Sequence, residues 1–259
     1  MKRAFSTLCC LDYSFEDVLN LALSSGMDGV ELRIDDKRLE TIVDVSETGK
    51  LFKKKGIRIC DVASSIFLNG KNLPDTAKKY VDLAAQLGAV AVRVFAGGKN
   101  ADGACDVSGI AEALAELCDY ASKYGVEIWL ETHSEVSTGK VCRDIVDLAG
   151  KDNLKILWDV LHSIEYGESL AETVGYVGDV ISHVHLKDGI PSEDKIEYIL
   201  TDLGDGEFPF GEVKAVLDSI GYDGYYSLEW ESPWCPEIRH IYSDPRDLLK
   251  RYNEVLDDL

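Results

Sequence analysis

The chain has 259 residues, 46% of them hydrophobic, which is enough to bury a sizeable core in one large α/β domain or two small ones. Its formal net charge of -20 argues against a nucleic-acid partner and against an anionic membrane surface, because both bind clustered lysine and arginine. Seven cysteines without a Cys-X-X-Cys pair indicate reduced thiols. The N-terminal apolar stretch is too short for a signal peptide, and no apolar run reaches the length of a membrane span. We therefore expect a cytoplasmic protein.

Apolar, β-branched stretches alternate with helix-like segments along the whole chain. The stretches that predict strands lie near residues 4–10, 29–34, 57–63, 89–95, 126–131, 156–159, 180–186 and 225–229. Apolar spacing of three and four residues predicts helices at 14–25, 73–87, 107–124, 143–148, 169–177, 210–220 and 245–259. This alternation predicts parallel βαβ units, and eight of them in 259 residues match a (β/α)8 TIM barrel in a single domain, residues 1–259. An open doubly wound sheet is the alternative.

Four strands of the C-terminal half each end in a polar residue. The stretches read VEIWLETH, LKILWD, VISHVHLKD and YYSLEWE, and the residues are Glu131, Asp159, His185 and Glu229. Alternate side chains of a strand share a face, so Glu229 shares its face with Ser227, while the bulky apolar residues point the other way. The same parity in the other strands directs all four polar side chains into the barrel. We expect them to meet at the C-terminal mouth, where barrel enzymes keep their active sites.

Three carboxylates and one imidazole in one place are the side chains that a divalent metal needs. Burial of these groups without a cation would be costly, because like charges close together cannot all stay ionised. The set is rich in oxygen and has one nitrogen, which favours Mn²⁺, Mg²⁺ or Co²⁺, with Zn²⁺ as a further alternative. The sequence therefore predicts one divalent metal ion at the mouth.

These motifs resemble the sugar phosphate isomerase/epimerase superfamily, the xylose isomerase-like TIM barrels that include tagatose epimerases, hydroxypyruvate isomerases and inosose dehydratases. The resemblance rests on LETH, WDVLH, HVHLKD, LGDGEFPF and GYDGYYSLEWE, with weaker similarity in GVELR and VRVFAGG, and it covers nearly the whole chain. It implies that the metal ligands are Glu131, Asp159, His185 and Glu229. It also implies that His162 binds a water or substrate oxygen beside the metal. For Glu31 of GVELR, an ion pair with Arg33 or Arg93 at the barrel mouth is an equal expectation.

The resemblance implies a metal-dependent isomerase or epimerase that acts on a small keto sugar, sugar phosphate or polyol. A metal that polarises a carbonyl acidifies the adjacent C–H and stabilises the enediolate. Glu131 and Glu229 are the predicted catalytic pair, one on each side of the metal. Return of the proton to the same carbon gives epimerisation, and return to the neighbouring carbon gives isomerisation. The predicted substrate-binding residues are His162, His133, Lys187 and Arg93; Lys187 could instead lie beyond the strand end and point to solvent.

Two positions depart from the tagatose epimerase pattern. Ser137 stands where those proteins carry a Glu, six residues after the first ligand, and Pro191 stands where they carry an Arg, six residues after the ligand His. His133 shares a face with Glu131 and is an additional candidate base, which loss of a β-leaving group would need. A metal-dependent dehydratase or other lyase on a keto sugar or cyclitol is therefore the alternative function.

Other classes fit the sequence less well. The endonuclease IV branch of the superfold needs a multi-zinc cluster with more histidine ligands, and this acidic chain has five histidines in all. A non-catalytic sensor barrel is disfavoured by the intact set of four ligands. The expected partner is a small carbohydrate, and a homo-oligomer paired through loops at the mouth, as in related barrels, stays open.

Overall fold

The computed structural model describes residues 1–42, 45–98, 105–193 and 197–259. The strands are β1 (Lys2–Ser6), β2 (Gly29–Arg33), β3 (Arg58–Leu68), β4 (Ala91–Ala96), β5 (Glu127–Glu131), β6 (Leu154–Asp159), β7 (Ile181–Leu186), β8 (Gly189–Pro191), β9 (Tyr198–Leu200) and β10 (Tyr225–Leu228). Within these ranges, eight strands close into a parallel barrel in the order β1-β10-β7-β6-β5-β4-β3-β2, and β8 pairs antiparallel with β9. The predicted (β/α)8 barrel is confirmed. The open sheet is excluded because β1 pairs with β10.

Most of the helices begin after a residue whose side chain caps the first turn. They are α1 (Phe15–Ser24), α2 (Asp36–Thr41), α3 (Val45–Lys55), α4 (Ala77–Leu87), α5 (Val107–Ala121), α6 (Gly139–Ala149), α7 (Val160–Glu165), α8 (Leu170–Val177), α9 (Phe210–Ser219) and α10 (Pro245–Asp257). Ser14 and Ser169 each start a capping box, in which a hydroxyl and a carboxylate three residues later satisfy the first backbone N–H groups. In the described part of the chain, no helix combines the length and apolar character that crossing a membrane would need.

Some elements differ from the sequence prediction. α2 and α3 lie between the second and third strands, where the apolar spacing predicts no helix. The reason is that α3 buries only Val45, Gly49 and Phe52 among many charged residues. α7 follows β6 directly and uses Asp159 as its N-cap. The β8–β9 pair joins two short segments, neither of which has a strand pattern of its own.

The axis of the barrel is filled by apolar side chains at its N-terminal end. These residues are Ala4, Cys60, Ala91, Trp129 and Leu157, all at most 2% exposed. His183 stacks on the Trp129 ring, with ring centroids 4.9 Å apart, and marks the level at which the interior becomes polar. The predicted site residues Glu131, Asp159, His185 and Glu229 therefore lie on the C-terminal side of an apolar layer.

Strand register brings the predicted ligands to neighbouring positions at this mouth. Asp159 of β6 lies opposite His185 of β7, and His185 lies opposite Ser227 of β10. Glu131 is the last residue of β5 and lies opposite Leu157 of β6. Neighbouring strands are about 4.8 Å apart, so side chains at the same level of adjacent strands lie within reach of one shared centre.

Asp188, the second residue after β7, holds the loop that contains the LGDGEFPF motif. Its buried carboxylate accepts hydrogen bonds at 2.7–3.1 Å from the backbone N–H groups of Gly189, Gly204, Gly206 and Phe208. Position 206 requires glycine, because an added Cβ would lie 2.1 Å from Asp188 Oδ1. The motif is thus a structural loop that is fastened to the end of β7, next to Lys187.

We expect Asp188→Ala to lower the free energy of unfolding by about 3 kcal/mol or more, because each buried N–H group left without an acceptor costs about 1–3 kcal/mol. Urea denaturation followed by circular dichroism measures the change. Asp205→Ala is the control, since Asp205 is exposed in the same loop, and its effect should stay within about 0.5 kcal/mol. Equal stability of the two variants would contradict this role for Asp188.

Candidate metal centre

The four predicted ligands converge at the mouth of the barrel. One ligand atom from each of Glu131, Asp159, His185 and Glu229 lies within 4.8 Å of the other three, and all four side chains are buried. His185 Nδ1 is 3.9 Å from Glu131 Oε1, 3.7 Å from Asp159 Oδ2 and 3.4 Å from Glu229 Oε2. Oxygen and nitrogen ligands bind divalent ions at about 2.0–2.6 Å, so these spacings leave room for one ion between the four atoms.

Polar atoms without a hydrogen-bond partner show that the donor set fits a cation. Among the described residues, Glu131 Oε2, Asp159 Oδ2 and His185 Nδ1 are buried and make no hydrogen bond of regular geometry. Glu131 Oε2 and Asp159 Oδ2 lie near the cations of Arg93 and Lys187, whereas His185 Nδ1 faces only carboxylates in this part of the chain. The other ring nitrogen of His185, Nε2, lies 2.8 Å from a carboxylate oxygen of Glu31 and donates to it, since a carboxylate can only accept. Burial lowers the pKa of His185, but the charges of Glu229 and Glu31 outweigh burial and raise it well above its usual value, so the ring is protonated when no ion is bound. A metal would replace the proton on Nδ1, which faces the three carboxylates.

Lys187 lies inside the site and does not point to solvent. Its Nζ is 2.7 Å from Asp159 Oδ2 and 2.9 Å from Glu229 Oε2, and it also contacts Glu231 Oε1. Burial lowers the pKa of Lys187, but the charges of Asp159 and Glu229 outweigh burial and raise it well above its usual value. Burial raises the pKa of Asp159, and the Lys187 ammonium outweighs this effect and holds it well below its usual range. The ammonium is therefore a built-in counter-ion for the carboxylates.

The two glutamates of the site differ in their protonation. Burial raises the pKa of Glu131 to about 7, because the loss of hydration outweighs the positive charge of Arg93. Burial also raises the pKa of Glu229, but His185 and Lys187 outweigh it and hold that pKa well below its usual range. Glu229 is thus ionised at neutral pH, and its charge attracts a cation.

Glu31 supports His185 from below and pairs with neither Arg33 nor Arg93. Its Oε2 lies 2.8 Å from His185 Nε2, its Oε1 lies 3.1 Å from His183 Nε2, and the Ser227 hydroxyl donates to Oε1. Glu31 belongs to β2 and lies opposite Ser6 of β1, and its side chain is fully buried. The expected ion pair with an arginine is therefore wrong. A carboxylate behind a ligand histidine fixes the orientation and tautomer of its ring.

A cavity of about 270 Å³ opens beside the four residues. It is lined by Leu8, Arg33, Arg93, Phe95, Glu131, His133, His162, Glu229, Glu231 and Trp234. Arg93 is buried, its Nε lies 3.2 Å from Glu131 Oε2, and its guanidinium lies 3.9 Å from the centre of the Phe95 ring. The cavity thus contains both predicted catalytic glutamates and three of the four predicted substrate-binding residues. Lys187 reaches it through its contacts with Glu229 and Glu231.

His133 and His162 form one wall of the cavity. Their ring centroids are 4.9 Å apart, with an edge-on geometry. His162 Nδ1 lies 2.9 Å from Glu165 Oε2, so the ring is held by its outer nitrogen. His133 Nδ1 lies 2.7 Å from Ser134 Oγ. Burial and the neighbouring His162 lower the pKa of His133 to about 4, so its ring is neutral at physiological pH.

The two positions that depart from the epimerase pattern lie outside this wall. The Ser137 hydroxyl donates to the carbonyl of Ser134 at 2.7 Å, and the Ser137 carbonyl accepts from Ser163 Oγ at 2.7 Å. Pro191 is the last residue of β8 and pairs with Tyr198 of β9. Neither residue lines the cavity, so substrate contacts there come from other side chains.

Sequence reasoning assigns no site role to two charged residues of the cavity wall. Glu231 lies two positions beyond Glu229, and strand parity continued past the strand end would have found it. Arg33 shares its strand face with Glu31 by the same rule. Both two-residue spacings can be read in the sequence, but alternation of side chains is a weak guide where the regular backbone of a strand ends.

Comparison with known proteins agrees with the barrel. The family model described as "xylose isomerase-like TIM barrel" matches residues 19–252. Inosose dehydratase from Clostridium perfringens is 25% identical over 251 residues, which cover 84% of this chain and 82% of that protein. Fructoselysine 3-epimerase from Escherichia coli O157:H7 is 28% identical over 152 residues, which cover 57% of this chain and 53% of that protein. The chain thus matches about half the length of this epimerase.

A solved structure shows the same architecture. The IOLI protein with a bound zinc atom is 21% identical, with a TM-score of 0.82 over 100% of this chain and 97% of that chain. At this level of identity the likeness shows a shared fold.

Proposed function

Since the chain belongs to the xylose isomerase-like TIM barrel family, we propose that it is a metal-dependent isomerase or epimerase that moves a proton at a carbon next to a carbonyl. The proposed substrate is a small keto sugar, sugar phosphate or polyol. The observation that carries the proposal is the convergence of three carboxylates and one imidazole within 4.8 Å, beside a cavity of about 270 Å³. Relatives that are named as an epimerase and a dehydratase support a carbohydrate substrate.

The proposed metal ligands are Glu131, Asp159, His185 and Glu229. The buried His185 Nδ1 that faces three carboxylates and the oxygen-rich donor set support Mn²⁺, Mg²⁺ or Co²⁺. Zn²⁺ is included because the solved IOLI structure carries a zinc atom. When bound, the cation supplies positive charge that makes the C–H beside a carbonyl more acidic.

The chain's own residues would carry and position the proton. Glu131 and Glu229 line the same cavity, and each presents a carboxylate that can take or return a proton. Lys187 holds the Glu229 carboxylate at 2.9 Å and places a positive charge beside it. His162, held by Glu165 through Nδ1, has Nε2 available for a substrate hydroxyl.

Solvent exchange tests the proposal directly. Mn²⁺-loaded protein would be incubated in D₂O with D-fructose, D-allulose, D-fructose 6-phosphate and an inosose, and the products analysed by NMR and mass spectrometry. Deuterium at carbon together with an isomeric product is the expected result. The metal-depleted protein is the control. Absence of both exchange and new product over the whole panel would contradict the proposal.

A dehydratase is the second candidate, and a specific arrangement favours it. His133 faces the cavity beside His162, while the positions of the missing epimerase residues, Ser137 and Pro191, lie outside the cavity wall. Elimination of water needs a base on the substrate carbon and an acid on the leaving hydroxyl, and the site has several groups for both roles. The match to inosose dehydratase covers most of both chains. Loss of water from the inosose in the same experiment would select this function.

We expect Glu31→Gln to weaken metal binding by about 10- to 100-fold, because an amide holds the His185 ring less firmly than a carboxylate. Titration calorimetry with Mn²⁺ on metal-depleted protein measures the dissociation constant. Glu212→Gln, an exposed change in the first turn of α9, is the matched control and should leave it unchanged. If Glu31→Gln binds Mn²⁺ as tightly as the wild type, Glu31 does not support the metal site.

A further inference from the structure

Arg33 places a positive charge on the cavity wall and, within the described ranges, contacts no carboxylate. It is the last residue of β2, and its side chain lines the same cavity as Glu131 and Glu229. Nη1 donates to the carbonyl oxygens of Ile34 and Ala63 at 3.2 and 3.0 Å, and Nη2 donates to Ser65 Oγ at 2.6 Å. These neutral acceptors hold the guanidinium in place, and Asp35 and Glu131 attract its charge only from beyond ion-pair distance.

Arg93 adds a second guanidinium to this side of the cavity. Its Nε faces Glu131 at 3.2 Å, but its buried Nη1 has no hydrogen-bond partner among the described residues. Burial lowers the pKa of Arg33, and the charge of Arg93 lowers it further, so the two cations are near enough to repel each other. Glu131 and Asp61 both lie near the Arg93 guanidinium. Arg33 contacts no carboxylate in the described part of the chain, so its guanidinium is the group open to an anionic ligand.

The same cavity also has an acidic part. Glu229 and Glu231 line it, and through Lys187 they are linked to Asp159 and the centre proposed for the metal. A ligand in the cavity therefore meets the proposed metal centre, with Arg93 beside its ligand Glu131, and the guanidinium of Arg33. The fork of N–H donors on a guanidinium matches the paired oxygens of a carboxylate or phosphate, and a partly buried site strengthens such a pair.

We propose that the substrate carries an anionic group, a carboxylate or a phosphate, that binds Arg33 with Arg93 beside it. This inference rests on the proposed function, since it takes the carbonyl end of the ligand to lie at the four metal-binding residues. The cavity volume of about 270 Å³ is at the small end for ligand sites, which favours a single sugar acid or sugar phosphate over a larger conjugate.

Binding of matched sugars tests the site without turnover. Titration calorimetry on the Mn²⁺-loaded protein would compare D-glucose, D-glucuronate and D-glucose 6-phosphate. We expect one of the two anions to bind roughly 10- to 100-fold more tightly than D-glucose, the range expected for a charge-assisted hydrogen bond. Tighter binding of D-glucuronate identifies a carboxylate substrate, and tighter binding of D-glucose 6-phosphate identifies a phosphate.

Arg33→Gln should remove most of this preference, and Arg33→Lys should keep part of it. Arg58→Gln is the control, because Arg58 is exposed at the start of β3, at the other end of the barrel, and the change in net charge is the same. The Mn²⁺ affinity of each variant shows that the barrel and its metal centre are intact. If Arg33→Gln does not fold, Arg33→Lys provides the comparison with the wild type.

The inference is wrong if the wild type binds all three sugars equally, or if Arg33→Gln keeps the full preference for the anion. Such a result would leave the proposed function standing, because solvent exchange on neutral keto sugars is measured separately. Conversely, an anion preference that depends on Arg33 in a protein without solvent exchange would identify a binding site and remove the isomerase proposal.

Discussion

Glu131→Gln and Glu229→Gln are each expected to abolish incorporation of solvent deuterium into substrate by the Mn²⁺-loaded protein. Both side chains line the cavity beside the proposed metal, and a carboxamide cannot accept the substrate proton. Loss of a general acid or base lowers a rate by about 10²–10⁴-fold, which would bring exchange below detection for a slow enzyme. NMR of the recovered sugar measures the deuterium at carbon.

A matched control separates this loss from a general disturbance of the barrel. Glu127→Gln changes the same residue type at the first position of β5, four residues from Glu131, and should retain exchange. Metal content measured by mass spectrometry distinguishes a variant that has lost the ion from one that has lost only the proton carrier. Full exchange in both Glu131→Gln and Glu229→Gln would overturn their catalytic assignment.

Lys187→Met is expected to destabilise the metal-free protein by about 3–5 kcal/mol, the usual cost of removing one partner from a buried ion pair. The ammonium contacts Asp159, Glu229 and Glu231, so its removal leaves three carboxylates facing one another in a buried site. Urea denaturation after treatment with a chelator measures the loss.

Added metal should reverse much of this effect, because a ligand that binds only the folded state stabilises it. With saturating Mn²⁺, Lys187→Met should therefore lose less free energy of unfolding, relative to the wild type, than it does without metal. Lys214→Met is the control, since Lys214 pairs with Asp218 on the surface and such pairs contribute about 0–1 kcal/mol. If Lys187→Met loses the same free energy of unfolding with and without metal, Lys187 and the ion do not share these carboxylates.

The sequence predicts the barrel and the meeting of the four ligands because both depend on local rules. Alternation of strand and helix implies a parallel sheet, and the two-residue period of a strand decides which side chains face inward. Glu131, Asp159 and His185 lie at or near the ends of β5, β6 and β7, where these rules hold best. Glu229 directly follows β10, close enough for the parity to hold.

Other features of the site depend on distances that no local pattern contains. The partners of Glu31 are set by strand register across β2, β1, β10 and β7, so the expected ion pair with an arginine could not be tested from the sequence. Lys187 directly follows β7, as Glu229 follows β10, and its two-residue spacing from His185 agrees with its inward direction. The sequence alone still leaves open whether this side chain points to solvent. Its place among the carboxylates is decided by charge.

The apolar residues that fill the barrel axis have a kinetic consequence. Trp129 and Leu157 block the route through the N-terminal end, so an ion held by the proposed ligands lies at the base of a blind passage. On the proposed function, metal and sugar would enter through the same opening. A sugar in the cavity would lie across the path of the ion, so we expect metal to bind before the sugar and to leave after the product.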